Sequence, residues 1–131
     1  MNATRRYAQA QNETASPERL MVLLFEAALR HMRAGAAALD SGRPADANPA
    51  LTRATEIVAH LDATFDQARF PKLAESLGPV YRFVCQQLLS GNLRSDPALV
   101  RQAEQAFTPV ADAFSTAVHR LSVERAGQAT R

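Results

Sequence analysis

TASPERLMVLLFEAALRH, residues 14–31, contains a complete helix start followed by an apolar face at helical spacing. Ser16 is placed to accept hydrogen bonds from the orphan amides of a first turn, Pro17 gives up an N–H that has no partner there, and Glu18 suits the positive end of the helix dipole. Leu20, Leu23, Leu24, Ala27, Ala28 and His31 then recur with the helical period. This segment predicts a long amphipathic helix over residues 17–39 and, because such a face needs neighbours to cover it, a fold built from helices.

The same punctuation recurs downstream. Pro17, Pro49, Pro97 and Pro109 each follow a good capping residue (Ser16, Asn48, Asp96 and Thr108), and Gly42 and Gly91 fall where the apolar rhythm lapses. Residues 49–69 carry Leu51, Ala54, Val58, Leu61 and Phe65 on one face. Residues 72–90 carry the clearest stripe (Leu73, Leu77, Val80, Tyr81, Val84 and Leu88), and residues 97–124 continue with Leu99, Ala103, Phe107, Val110, Phe114, Ala117 and Leu121. No segment alternates with period two. The expected fold is an all-α antiparallel four-helix bundle. Pro79 and Pro109 fall inside stripes, where each predicts a kink or a break; Thr108 could cap a separate fifth helix. The expected organisation is an N-terminal arm or short helix over residues 1–13, a bundle over 14–124 and a fraying end over 125–131.

Composition sets further bounds. At 131 residues, with 47% hydrophobic and 21% charged side chains, the chain matches one folded domain. One cysteine, Cys85, excludes an internal disulfide. The apolar run from Leu20 to Phe25 stops at Glu26, far short of a membrane span, and the beginning has no apolar signal core, so the expectation is a soluble chain in the cytoplasm without membrane insertion. The formal charge of +2 comes from basic residues spread along the chain among carboxylates, so no nucleic-acid partner is expected.

Chemistry-bearing constellations are sparse. His31, His60 and His119 lie on three different expected helices without metal-ligand spacing, so no metal or other cofactor is expected. Ser16 and Ser41 read as cap and turn residues, Asp62 and Asp66 as a solvated acidic pair, and no glycine-rich loop is present to cradle a phosphate, so the chain is not expected to be an enzyme. His31-Met-Arg-Ala-Gly-Ala-Ala37 loosely resembles a histidine phosphotransfer signature, but Arg33 is misplaced and His31 falls on the apolar stripe. Tyr7, a lone aromatic on a polar arm, could fold back over an empty apolar groove as a removable plug.

Thr14-Ala-Ser-Pro-x-x-Leu20, then Leu24-Phe-Glu-Ala-Ala28, with Ala74, Leu77, Tyr81, Leu88 and Asn92 farther on and an aromatic at Phe114, resembles the FliS family of flagellin export chaperones over residues 7–121. The chain departs from the family pattern at Phe25, Glu26 and Ala27, and it has no tryptophan. The resemblance implies a bundle that holds the C-terminal segment of flagellin in apolar grooves, prevents premature polymerisation and delivers it to the flagellar type III export apparatus, with the export gate as a second partner. Phe25, Phe70 and Phe83 lie near stripe edges, and the client-binding or plugging set expected from residues and resemblance together is Tyr7, Leu20, Leu24, Phe25, Ala28, Phe83, Asn92 and Phe114. Spare apolar surface would also permit a homodimer, and the alternatives to the flagellin reading are a histidine phosphotransfer bundle using His31 and adaptor duty for another exported or regulatory protein.

Overall fold

A computed structural model of the chain describes residues 16–68 and 71–129. These form four helices: α1 (Pro17–Asp40), α2 (Pro44–Thr64), α3 (Pro71–Arg94) and α4 (Pro97–Ala129). No strand occurs among the described residues. The expected all-α four-helix bundle is therefore what the chain builds. Tyr7, Phe70 and the arm over residues 1–13 lie outside the described residues.

Local chemistry sets the ends. Ser16 caps α1 as its sequence demands, its Oγ accepting the Arg19 N–H at 3.1 Å. At the other end Gly42 takes a left-handed conformation (φ 68°), which lets the Arg43 N–H reach back to the Ala38 carbonyl at 2.8 Å. That turn delivers the chain directly into α2, so α2 starts at Pro44 and not at Pro49: the Arg43 carbonyl already accepts from Asp46 and Ala47, each at 3.1 Å. Its other end also comes earlier than expected, because Phe65 leaves the helix in extended conformation (φ −66°, ψ 133°). Between α3 and α4, Ser95 adopts φ 52°, the Asp96 N–H bonds the Gly91 carbonyl at 2.9 Å, and Asp96 Oδ1 accepts the Ala98 N–H at 3.0 Å. Asp96 thus closes one helix and caps the next.

Three prolines sit inside helices without ending them: Pro49 in α2, Pro79 in α3 and Pro109 in α4. The breaks expected at Pro79 and Pro109 do not occur, and Thr108 starts no fifth helix; its hydroxyl donates to the Glu104 carbonyl at 2.8 Å, one turn back. The physical reason is placement. Each proline and the residue four positions before it (Ala45, Glu75, Gln105) are exposed, so water can satisfy the carbonyl that the missing N–H leaves unbonded. The fourth helix also continues past its expected end at Glu124, through Gly127 to Ala129.

The helices form a ring in which α1 and α3 each pack against both α2 and α4. Ion pairs fix the direction of α1 against α4: Glu18 meets Arg125 at 3.5 Å, Arg33 meets Glu104 at 2.7 Å, and Asp40 meets Arg101, so the two run antiparallel. Phe25, Met32, Leu51, Val58, Leu61, Val84, Leu88, Val100 and Phe107 fill the centre. Phe25 stacks on Phe107 with ring centroids 5.3 Å apart, and Phe114 and Tyr81 close the group at 5.2 Å from Phe25 and 6.3 Å from Phe107.

Candidate functional site

Burial is complete in the middle of the bundle and incomplete at the start of α1. Leu20 and Leu23 remain 41% and 40% exposed, whereas Val22 and Phe25 between and beyond them are sealed. Leu20, Leu24, Ala27 and His31 follow one another at i, i+4, i+7 and i+11, on the flank that leads down to Gly35. At Gly35 α1 approaches α2 closely, since a Cβ there would lie 2.7 Å from Leu51 Cγ. Leu20 therefore heads a shallow apolar flank beside α2, with Leu24 and Ala27 half-buried along it and packed on the core, and Leu23 adjoins it on the solvent side of α1.

The trailing end of α4 lies at the same end of the bundle, on the other side of α1. The Glu18–Arg125 pair sets α4 against the first turn of α1, and Val123, two residues before Arg125 and on the opposite side of α4, is 57% exposed. The Glu18 carboxyl is held below the usual carboxylate range, first by its own backbone amide, which outweighs the opposing effect of burial, and then in smaller measure by Arg125 and Ser16.

Of the residues singled out from sequence, Leu20 and Leu24 lie on this flank, and Phe114 is half-buried at the same end, its ring tilted against Phe25. Phe25 and Ala28 are at 2% and 0% exposure and belong to the core, so neither presents surface to a ligand. Phe83 (43% exposed) and Asn92 sit on α3, diagonal to α1 in the ring; Asn92 is half-buried in the last turn, where its carbonyl meets the Ser95 N–H. Sequence reasoning placed Leu23 in the core stripe and passed over Leu89, Leu93 and Val123, all exposed. Adjacent leucines such as Leu88-Leu89 were the available signal, because one helix face cannot bury both.

Other chemistry is muted. Tyr81 is pushed up to about 12 by burial and then by Asp62, and the same two causes raise the Cys85 thiol, which leaves it protonated and a poor nucleophile near neutrality. An open hollow of about 450 Å³ between the end of α2 and the start of α3 is lined in part by Asp62, Phe65, Leu77 and Tyr81. His31 is half-buried on the α2-facing flank, unlike the exposed imidazole that phosphotransfer needs. No helix among the described residues is long and apolar enough to cross a membrane.

A small helical bundle with a sealed centre, few buried reactive groups and bare leucines on its first helix is the build of a protein-binding module. Comparison with known proteins makes the class particular. The family model for the flagellar protein FliS matches residues 1–121, and the chain belongs to that family. It is 26% identical over 121 residues to the flagellar secretion chaperone FliS of Bacillus subtilis (strain 168), covering 92% of this chain and 90% of that protein. It is 29% identical over 113 residues to the flagellar secretion chaperone FliS of Salmonella typhimurium (strain LT2), covering 82% and 84%. A role as a flagellar export chaperone follows from that membership.

Proposed function

We propose that this chain acts in the cytoplasm as the chaperone of flagellin, binding its C-terminal segment, preventing premature polymerisation and delivering it to the flagellar type III export apparatus. A filament subunit's end segments are apolar and amphipathic, and before assembly they have no partner helices to cover them. The α1 flank suits such a client. Its exposed Leu20 and Leu23, with Leu24 and Ala27 half-covered beside them, form a row that an incoming helix meets with i, i+3, i+4 and i+7 anchors. Tyr7 and its arm, which adjoin the flank in sequence, serve as the plug that occupies it when no client is bound.

The observation that carries the reading is the pair of uncovered leucines at the junction of the arm and α1, in a chain of the FliS family. Burying the remaining two-fifths of each leucine is worth roughly 1–2 kcal/mol for the pair, a meaningful share of a micromolar affinity. The test is to mix the full chain with the last 40 or so residues of its organism's flagellin, the order of size of a segment that folds on binding. A 1:1 complex with a gain in helicity by circular dichroism supports the proposal. Absence of a complex at micromolar concentrations contradicts it.

A further inference from the structure

The outward face of α3 differs from the rest of the surface. Arg82, Phe83, Gln86, Leu89, Leu93 and Arg94 follow the helical period down its C-terminal half, and all six are exposed. Leu93 at 85% and Leu89 at 65% are the two most exposed large hydrophobic residues among those described, with Phe83 at 43% nearer the middle of the helix. A solvated helix face normally carries interleaved charges of both signs, yet no carboxylate occurs between Glu75 and Asp96. Asp96 is already committed to the Ala98 N–H as the cap of α4.

The cations of this face are unspent. Arg33, Arg43, Arg53, Arg101 and Arg125 take part in ion pairs with Glu104, Asp46, Glu56, Asp40 and Glu18, whereas Arg82 and Arg94, like Arg19, Arg30 and Arg120 on other helices, pair with no described carboxylate; only on α3 do such arginines flank an exposed apolar strip that lacks carboxylates of its own. The apolar strip is thus bracketed by two guanidinium groups twelve positions apart, about 18 Å along the axis at 1.5 Å per residue.

We propose that the face of α3 from Arg82 to Arg94 is a docking surface for an acidic amphipathic helix of a partner protein, separate from the α1 flank. The occupant would lay apolar anchors on Phe83, Leu89 and Leu93 and place carboxylates near its two ends, one to each arginine. A second copy of the chain is the wrong occupant. In an antiparallel pairing of two such faces Arg82 of each meets Arg94 of the other, and a parallel pairing sets each arginine against itself. Separation from the client follows from the ring: α1 and α3 are diagonal, each covered by α2 and α4, so a helix on the α1 flank leaves this face open.

The test uses the full chain and a fluorescein-labelled, 18-residue helical peptide with leucines at i, i+3, i+7 and i+10 and glutamates at both ends, alongside the same peptide with lysines for glutamates. The expected result is micromolar binding of the glutamate peptide by anisotropy and little binding of the lysine peptide. Salt should weaken it, and amide shifts in heteronuclear NMR should be confined to α3. Arg82→Glu with Arg94→Glu should lower affinity tenfold or more and restore binding of the lysine peptide, while Leu89→Ser with Leu93→Ser should abolish both. These positions are exposed, and circular dichroism checks that each variant is folded. Equal binding of the two peptides, shifts mapped to α1, loss of peptide binding when the flagellin segment is bound, stronger attachment to phosphatidylglycerol vesicles than to peptide, or dimerisation through this face in sedimentation would each overturn the proposal.

Discussion

Gly91 and Gly127 both lie inside helices, and replacing each by alanine should move stability in opposite directions. In an open helix Gly→Ala gains up to about 1 kcal/mol, because alanine loses less backbone freedom on folding. Gly127 meets that condition, with nothing within 4 Å of the position its Cβ would take. At Gly91 the added methyl would lie 2.8 Å from Val100 Cγ2, 3.2 Å from the Asp96 carbonyl oxygen and 3.3 Å from the Val100 amide nitrogen. Val100 could yield by rotating. The two backbone atoms could not, because the Asp96 N–H to Gly91 carbonyl bond and the Asp96 cap fix the turn that carries them. Overpacking of this kind costs about 1–3 kcal/mol, enough to cancel the propensity gain and leave Gly91→Ala less stable by about 1–2 kcal/mol. For a domain of this size that is a fall in Tm of roughly 4–10 °C. Urea unfolding followed at 222 nm is the assay, with Gly127→Ala expected at or slightly above the wild-type midpoint. A Gly91→Ala protein as stable as wild type would refute the claim that α3 and α4 touch through this glycine.

Further outcomes follow from particular contacts. Phe107→Ala, which empties the centre of the aromatic group around Phe25 and Tyr81, should cost about 3–5 kcal/mol in urea unfolding. Ser95→Gly should stabilise by about 1 kcal/mol, since φ 52° disfavours a residue with a Cβ. Glu18 has its folded pKa depressed, so its contribution is present above the ordinary carboxylate range and is lost as pH falls through the lower folded value. Melting curves of wild type and Glu18→Gln should therefore differ at neutral pH and converge on the acid side. Deleting residues 1–12 should raise affinity for the flagellin segment in titration or increase self-association in sedimentation, and no change in either would remove the plug.

Fold class was legible because capping residues and apolar rhythm agree in most segments, as Ser16 and the stripe beginning at Leu20 do in α1. The start of α2 was not, since Asn48-Pro49 mimics a cap followed by its proline. The true start at Arg43-Pro44 has no side-chain cap and is set by the left-handed turn at Gly42, a tertiary feature of how α1 ends. Pro79 and Pro109 read as breaks because sequence gives no measure of which carbonyls face water. The candidate site was legible only in part. Periodicity identifies a stripe but not its depth, so Phe25 and Ala28, which sit in the bundle's centre, look the same in sequence as Leu20, which stays 41% exposed, and Leu24, which is only half-buried.

The central claim is that the uncovered flank of α1 holds the C-terminal segment of flagellin. Isothermal titration of that segment into the wild-type chain and into Leu20→Ser with Leu23→Ser tests it most directly. The account predicts one site per chain and about tenfold weaker binding by the folded double variant, the effect of losing roughly 1–2 kcal/mol of apolar burial. Equal affinities for the two proteins, or no heat of binding at micromolar concentrations, would contradict it.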